Sequence, residues 1–407
     1  MIQKPYGTND ILPSQTPKWQ YIEKAARETA ALYGFSEIRF PSFESTELFQ
    51  RGVGDTTDVV QKEMYSFEDS EEGKSFSLRP EGTASVARSV IENGLYGETM
   101  PLKFFYIINC FRHEKPQAGR YREFYQFGVE LFGAPSAAAD AQIMALPHVL
   151  RINSIGCKKC RVEYHKALVE YFSENSGKLC QTCLGRLHTN PLRILDCKNE
   201  DCAKLAENAP KTIEYLCEDC AKHYNMLHEI LDSMEIEYID DPKIVRGLDY
   251  YSRTVFEYQF SGIGAQNALG GGGRYDGLIE SVGGPSLCGI GFAMGINRLI
   301  IAMDEVKAKY PEPKKPVLYI AALGEAASVR ASAIAEKLRC DGIQAESDIV
   351  GRSLKAQMKY ANKSGAHYTL MLGENELNTG KAFLRDMTKS EQTEISIDKI
   401  SDYIKRS

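Results

Sequence analysis

Eight of the eleven cysteines fall in four pairs, Cys157-x2-Cys160, Cys180-x2-Cys183, Cys197-x4-Cys202 and Cys217-x2-Cys220, and this clustering constrains the fold more than any other feature. The sequence between them carries Lys, Glu and Leu at helical spacing. Residues from about 157 to 235 therefore read as a helical module inserted into a larger domain. In a small secreted protein such cysteines would form a disulfide frame. In a chain of 407 residues that begins with no basic, apolar leader, they point to metal ligation or plain thiols. Four pairs supply two tetrahedral thiolate sites for structural Zn2+, with the pairing open, and two-residue spacers suit zinc knuckles. The competing reading is a module of unligated buried thiols, which pack as small apolar groups. Any metal here is expected to be remote from the chemistry. Cys110, Cys288 and Cys340 stand alone and read as core residues.

On either side of the module the pattern changes. Trp19–Leu32 has helical periodicity, and Glu37–Pro41 is a short alternating run. Ser75–Arg79, Phe104–Ile108 and Gln126–Phe132 are aromatic and β-branched, as strands are. Residues 241–302 return to strands and glycine. Three prolines between Pro311 and Pro316 mark a boundary, giving a domain over 1–316 that contains the module and a second over 317–407. The tail alternates strand (317–323), helix (325–339), strand (343–349), helix (354–364) and strand (367–372), which argues for a small α/β domain.

The 43% hydrophobic and 26% charged content is that of an ordinary water-soluble chain, and no apolar run is long enough to span a bilayer. A cytoplasmic location without membrane contact is expected. A net charge of −6 argues against a non-specific nucleic-acid binder but leaves room for a local basic surface. Neither a Walker A loop nor a G-x-G-x-x-G fingerprint occurs, so a nucleotide site must be built another way.

Three stretches offer that route: Arg79-Pro80-Glu81-Gly82-Thr83, then Phe111-Arg112-His113-Glu114 followed by a basic loop and Tyr121–Glu130, then Gly289–Leu299 with Arg298. Strand-borne guanidinium groups stay charged, bind phosphate in bidentate fashion and are preorganised for charge that grows on a phosphoryl group.

Phe111-Arg112-His113-Glu114 with its returning strand resembles motif 2 of the class II aminoacyl-tRNA synthetases. Gly289–Arg298 resembles motif 3, and the helix and strand ending at Pro41 resemble motif 1, which implies a homodimer. Arg246-Gly247-Leu248-Asp249-Tyr250-Tyr251 and Gly272-Gly273-Arg274-Tyr275-Asp276-Gly277-Leu278 are similar to signature peptides of the histidyl-tRNA synthetase family, and the order of all five elements agrees. Thr56-Thr57-Asp58, Lys62–Tyr65 and Gly351–Lys355 agree as well. The resemblance covers nearly the whole chain and is weakest in the cysteine module. It implies an α+β catalytic domain on an antiparallel sheet, a helical cysteine-rich insertion and a C-terminal α/β anticodon-binding domain. The implied activity is histidine–tRNA ligation, with ATP as substrate, Mg2+ on its phosphates, and L-histidine and tRNA(His) as partners.

The same resemblance implies residue roles. Arg112, Arg120 and Arg298 would bind the ATP phosphates, Phe124 would stack on adenine, and Glu114 would meet its amino group. Arg246 would stand beside the α-phosphate and the attacking carboxylate, so Arg246, Arg112 and Arg298 are the catalytic candidates. Glu81, Gly82, Thr83, Gln126, Glu130, Tyr250, Tyr251 and Tyr275 would line the histidine pocket. Carboxylates, an amide and hydroxyls can satisfy an α-ammonium and both imidazole nitrogens, and an isostere lacking those groups would strand buried polar atoms. One departure stands out: the family usually has Glu before the motif 3 arginine, where this chain has Asn297.

Bland alternatives attach to each piece. Arg79–Glu81 and Arg112–Glu114 read singly as surface ion pairs, Gly270–Gly273 as a turn, Tyr250-Tyr251 as sheet core, and His113 as a solvated or tRNA-facing histidine. Arg352, Lys355, Lys359 and Lys363 lie at near-helical spacing, either to meet tRNA phosphates or as a solvated helix face. Two non-enzymatic readings compete with the ligase. One is an idle paralogue regulating histidine biosynthesis, which would usually lack the anticodon domain. The other is an amino-acid-sensing or RNA-binding module.

Overall fold

The computed structural model describes residues 1–55, 57–69, 73–145, 150–197, 199–263, 267–312 and 315–406, so of the Thr56-Thr57-Asp58 string only Thr57 and Asp58 lie among the described residues. The chain divides into two units, Met1–Pro311 and Glu312–Ser407.

In the first unit the two longest apolar runs form a hairpin. Leu102–Phe111 pairs antiparallel with Glu123–Phe132, in register from Leu102 opposite Phe132 to Phe111 opposite Glu123. From the second hairpin strand the sheet continues antiparallel through Gly289–Gly295, Ala268–Arg274, Ser252–Gln259 and Leu150–Ser154. Short parallel strands close both margins, Ser36–Glu37 beside the hairpin and Tyr238–Asp240 beside Leu150–Ser154. The eight-stranded sheet is thus antiparallel through its centre and mixed at its edges. Gly270–Gly273 lie within a strand, not a turn.

Strand alternation sorts the hairpin's side chains onto two faces. Phe105, Phe127, Val129 and Leu131 pack with Trp19 and Ile22 of the helix Thr16–Leu32 and with Leu227 and Leu231 of the helix Glu218–Ser233. Tyr106, Ile108, Cys110 and Phe132 pack on the other face with Val86 and Val90 of the helix Thr83–Glu92. That second face carries the candidate site.

The cysteine-rich insertion is helical, with Lys158–Glu174 and Glu218–Ser233 leading in and out and the short Gln181–Arg186 and Glu200–Glu207 between. It has its own core, in which Tyr164, Leu168, Phe172, Cys183, Ile194 and Cys202 are buried together.

The second unit is α/β. Ala345–Ser347, Leu318–Ala322 and Tyr368–Leu372 run parallel, and Lys381–Asp386 and Gln392–Ser396 extend the sheet antiparallel. The helix Glu325–Cys340 covers one face through Ala331, Ile334 and Leu338, and Leu354–Ser364 covers the other through Ala361. On that second helix Lys355, Lys359 and Lys363 are exposed, whereas Arg352 is held by Asp348 at 2.7 Å and lies 4.7 Å over the Tyr360 ring. Among the described residues no helix is long and apolar enough to cross a membrane.

Candidate active site

Glu130 projects from the hairpin and is fully buried. Its carboxylate accepts from three hydroxyls: Thr83 at 2.7 Å, Tyr106 at 3.0 Å and Tyr275. Tyr106 reaches it because its ring lies against Gly82 and Gly128, where a Cβ would stand 2.5 and 2.3 Å from the ring. Burial pushes the Glu130 carboxyl up to about 8, against the opposing pull of the Tyr275 and Thr83 hydroxyls and with help from the Glu81 charge. Burial also raises Glu81, although its carboxylate accepts from the Thr83 and Ala84 amides at 2.7 and 2.9 Å where their helix begins. This end of the site is rich in carboxylates and hydroxyls.

The other end is cationic. Arg112 lies 5.4 Å over the Phe124 ring and donates through Nε to the Pro80 carbonyl at 2.9 Å. Glu114 pairs with Arg120 at 2.7 Å and more loosely with Arg112 at 3.7 Å. Arg298 donates from Nε to the Gly119 carbonyl at 3.1 Å and from Nη1 to the Ala268 carbonyl. Burial, then the charges of Arg120 and Arg112, push its guanidinium below the ordinary range, with Glu114 opposing. Three mutually repelling guanidinium groups around one carboxylate favour a bound anion.

Arg246 pairs with Glu257 at 2.6 Å and sits 5.7 Å over the Tyr251 ring. Burial works against its charge, but Tyr251 and Glu257 outweigh it and raise its pKa. Its buried Nε has no partner among the described residues. Space for it comes from Gly271, opposite Glu257, where a Cβ would stand 2.6 Å from the guanidinium.

A cavity of about 660 Å³ joins these groups. Of the residues anticipated from sequence, Glu81, Thr83, Arg112, Glu114, Arg120, Phe124, Gln126, Arg246, Tyr250, Tyr251 and Arg298 border it. Gly82, Glu130 and Tyr275 stand behind its wall: Gly82 makes room for Tyr106, and Tyr275 supports Glu130. Arg79 forms no surface pair with Glu81. It is buried, and its guanidinium binds the carbonyls of Phe40, Pro41 and Asn109. His113 is exposed, edge-on to Tyr65.

The cysteines gather as two quartets, Cys157/Cys160/Cys217/Cys220 and Cys180/Cys183/Cys197/Cys202, each with its sulfurs within 4.8 Å of one another. Either could hold a metal ion. Sulfur separations of 3.6 Å (Cys157–Cys160), 3.9 Å (Cys157–Cys217) and 3.9 Å (Cys180–Cys197) bracket the roughly 3.8 Å edge of a tetrahedron with ~2.3 Å zinc–sulfur bonds. Backbone amides point at the sulfurs, Cys217 N to Cys160 at 3.1 Å and Cys180 N to Cys202 at 3.2 Å, as thiolate ligands require. The second quartet is not remote from the cavity: Leu195, Asp196 and Cys197 form part of its wall.

A histidyl-tRNA synthetase family model matches residues 7–177 and 183–299, and an anticodon-binding-domain model matches 318–407. The histidine–tRNA ligases of Acetivibrio thermocellus and Caldanaerobacter subterraneus subsp. tengcongensis are 51% and 49% identical to this chain, with full coverage on both sides. The crystal structure of apo Staphylococcus aureus histidyl-tRNA synthetase superposes with a TM-score of 0.84 at 39% identity, covering all of both chains. The chain belongs to the histidyl-tRNA synthetase family.

Within that family's frame, Asn297 acquires a role. Its side-chain oxygen accepts from the Tyr125 amide at 2.8 Å, while backbone carbonyls steady the neighbouring Arg298. Sequence reasoning missed Glu257, Tyr106 and the buried Arg274–Asp140 pair, which His223 joins at 2.8 Å from the insertion's exit helix. The glycine run was the available signal: a strand that presents no side chains at Gly270–Gly273 leaves its neighbours' side chains room to converge.

Proposed function

We propose that this chain is a histidine–tRNA ligase that activates L-histidine with ATP to histidyl-adenylate and then transfers the histidyl group to tRNA(His). The observation that carries this reading is the bipolar cavity, cationic around Arg112, Arg120 and Arg298 and lined with carboxylates and hydroxyls around Glu81 and Thr83.

The triphosphate occupies the arginine end, with Arg112, Arg120 and Arg298 on its phosphates, adenine against Phe124, and Glu114 near the adenine amino group. Histidine occupies the other end. Glu81 and Gln126 receive its ammonium and a ring N–H, while Thr83, Tyr250 and Tyr251 complete the pocket. Glu130 and Tyr275 act from behind the wall by orienting the Thr83 hydroxyl. Activation joins a histidine carboxylate oxygen to the α-phosphorus and breaks the bond to the β-phosphate oxygen, releasing pyrophosphate. Arg246 stabilises the charge that develops on the α-phosphoryl oxygens, a preorganised electrostatic role that needs no protein base. Mg2+ would supply charge neutralisation on the outer phosphates, with Glu114 the carboxylate among the arginines able to meet it.

The two thiolate quartets fit structural Zn2+. The exposed Lys355, Lys359 and Lys363 supply a basic face for tRNA. A cytoplasmic homodimer built on the segment around the helix Thr16–Leu32 completes the reading.

Pyrophosphate exchange by the purified protein with Mg2+ tests it. Exchange should depend on histidine and be absent with other amino acids, and tRNA(His) should be charged. A protein that is silent with histidine would defeat the proposal. Light scattering that gives one chain's mass would defeat the dimer.

A further inference from the structure

We propose that the Cys180/Cys183/Cys197/Cys202 metal centre is a positioning element of the active site, and that Arg193 transmits its effect to Arg246. This rests on reading the quartet as a zinc site in a histidine-activating enzyme.

The segment that this quartet encloses faces the catalytic loop. Arg193 donates from Nη1 to the Arg246 carbonyl at 3.3 Å. Asn190 donates to Asp249 at 3.3 Å, and Arg186 binds Asp58 at 2.7 Å, with Arg193 also 3.8 Å from Asp58. Beneath these polar contacts, Ile194 and Leu195 share one apolar core with Cys183, Cys202 and Val245, the residue before Arg246. Cys197 itself borders the cavity.

Local structure cannot hold this segment alone. Its elements are Gln181–Arg186 and the single 3-10 turn Pro191–Ile194, both far shorter than a self-sustaining helix. A metal bound by four thiolates closes the segment into a rigid loop, because ligation and folding are linked. Metal occupancy therefore decides whether Arg193 meets the Arg246 carbonyl, and with it how Arg246 stands against Glu257 and Tyr251. The first quartet touches the loop elsewhere, through Arg161 to the Tyr251 carbonyl, and its sulfurs join the insertion's entry and exit helices, so the contact to Arg246 itself belongs to the second.

The test compares full-length wild type with Cys202→Ser, Arg193→Ala and Arg193→Lys, reading zinc content, hydrogen exchange and histidine-dependent pyrophosphate exchange. Wild type should hold two zinc ions, one per quartet. Cys202→Ser should hold one and lose amide protection over 184–197 and 245–249, while the Leu102–Phe111 strand stays protected. Arg193→Ala should keep both ions, because it touches no sulfur. Its kcat should fall about tenfold to a hundredfold, the scale on which a misplaced catalytic group acts, with KM for histidine within about twofold. Arg193→Lys should restore part of the loss. Full activity in Arg193→Ala, unchanged protection at 245–249 in Cys202→Ser, or wild type without zinc at this quartet would each overturn the proposal. If wild type shows no histidine-dependent exchange, the ligase reading fails, and protection at 245–249 still decides the coupling.

Discussion

Asn297 accepts the Tyr125 amide at 2.8 Å and so ties the start of the helix Ile296–Glu305 to the hairpin strand that carries Phe124 and Gln126. The ladder between Gly289–Gly295 and the hairpin ends at Gly295 opposite Gln126, so the next amide would lack a strand partner. Asn297 supplies one. Asn297→Ala should cost about 0.5–1.5 kcal/mol, the net worth of one hydrogen bond, since the bond is only part-buried, and should raise KM for ATP by loosening the strand under the nucleotide. Asn297→Glu, the residue usual in the family, keeps an acceptor and should stay near wild-type stability. Urea unfolding checks both, and an alanine variant as stable as wild type would remove the tether from the account.

Arg246 is the cation with most at stake. Arg246→Ala should abolish histidine-dependent pyrophosphate exchange, because no neighbouring group reproduces a guanidinium held by Glu257 and stacked on Tyr251. It should also leave the half-buried Glu257 short of its partner and lower stability by about 1–3 kcal/mol. Arg246→Lys keeps the charge but not the planar fork, and should recover stability better than rate. Unchanged exchange in the alanine variant would take this residue out of the mechanism.

Glu130 predicts a pH dependence of stability. Its carboxyl titrates near 8 in the folded protein, against an ordinary value of 4.5, chiefly because it is buried. Between those values the folded chain holds a proton that the unfolded chain has released. The stabilisation is complete below the lower value, declines as pH rises through the window, and is lost above about 8. Glu130→Gln, neutral at every pH, should flatten this contribution between pH 5 and pH 8.5 (roughly the span of that window). Equal slopes for the two proteins would show that Glu130 is ionised throughout.

Much of this was legible in the sequence, for identifiable reasons. The hairpin strands show as aromatic and β-branched runs, and the tail's alternation places each of its first five elements within a few residues. The last two strands escaped notice because only Ala382, Leu384 and Ile395 mark their buried face. Site residues announced by charge came to one cavity, except Glu130, which stands behind its wall. What escaped were the supports: Tyr106 looks like one more core aromatic, and Glu257 like one more surface carboxylate. The cysteine spacing told of ligands but not of partners. Partner choice depends on the first turns of the two long helices meeting, which is a property of packing.

That packing yields a prediction for the first quartet. Cys157 and Cys160 begin the entry helix, and Cys217 and Cys220 begin the exit helix, so one metal joins the two ends of the insertion. Cys157→Ser should lower zinc content by one ion per chain. The insertion before its exit helix should then melt or be cleaved by protease ahead of the sheet, because the core around Tyr164, Leu168, Phe172 and Ile194 is separate from the two that flank the sheet. Removing zinc with a chelator should act in the same direction in wild type and leave the Cys157→Ser protein less affected. A serine variant that keeps both ions and resists protease like wild type would mean that these thiols are packed, not ligated.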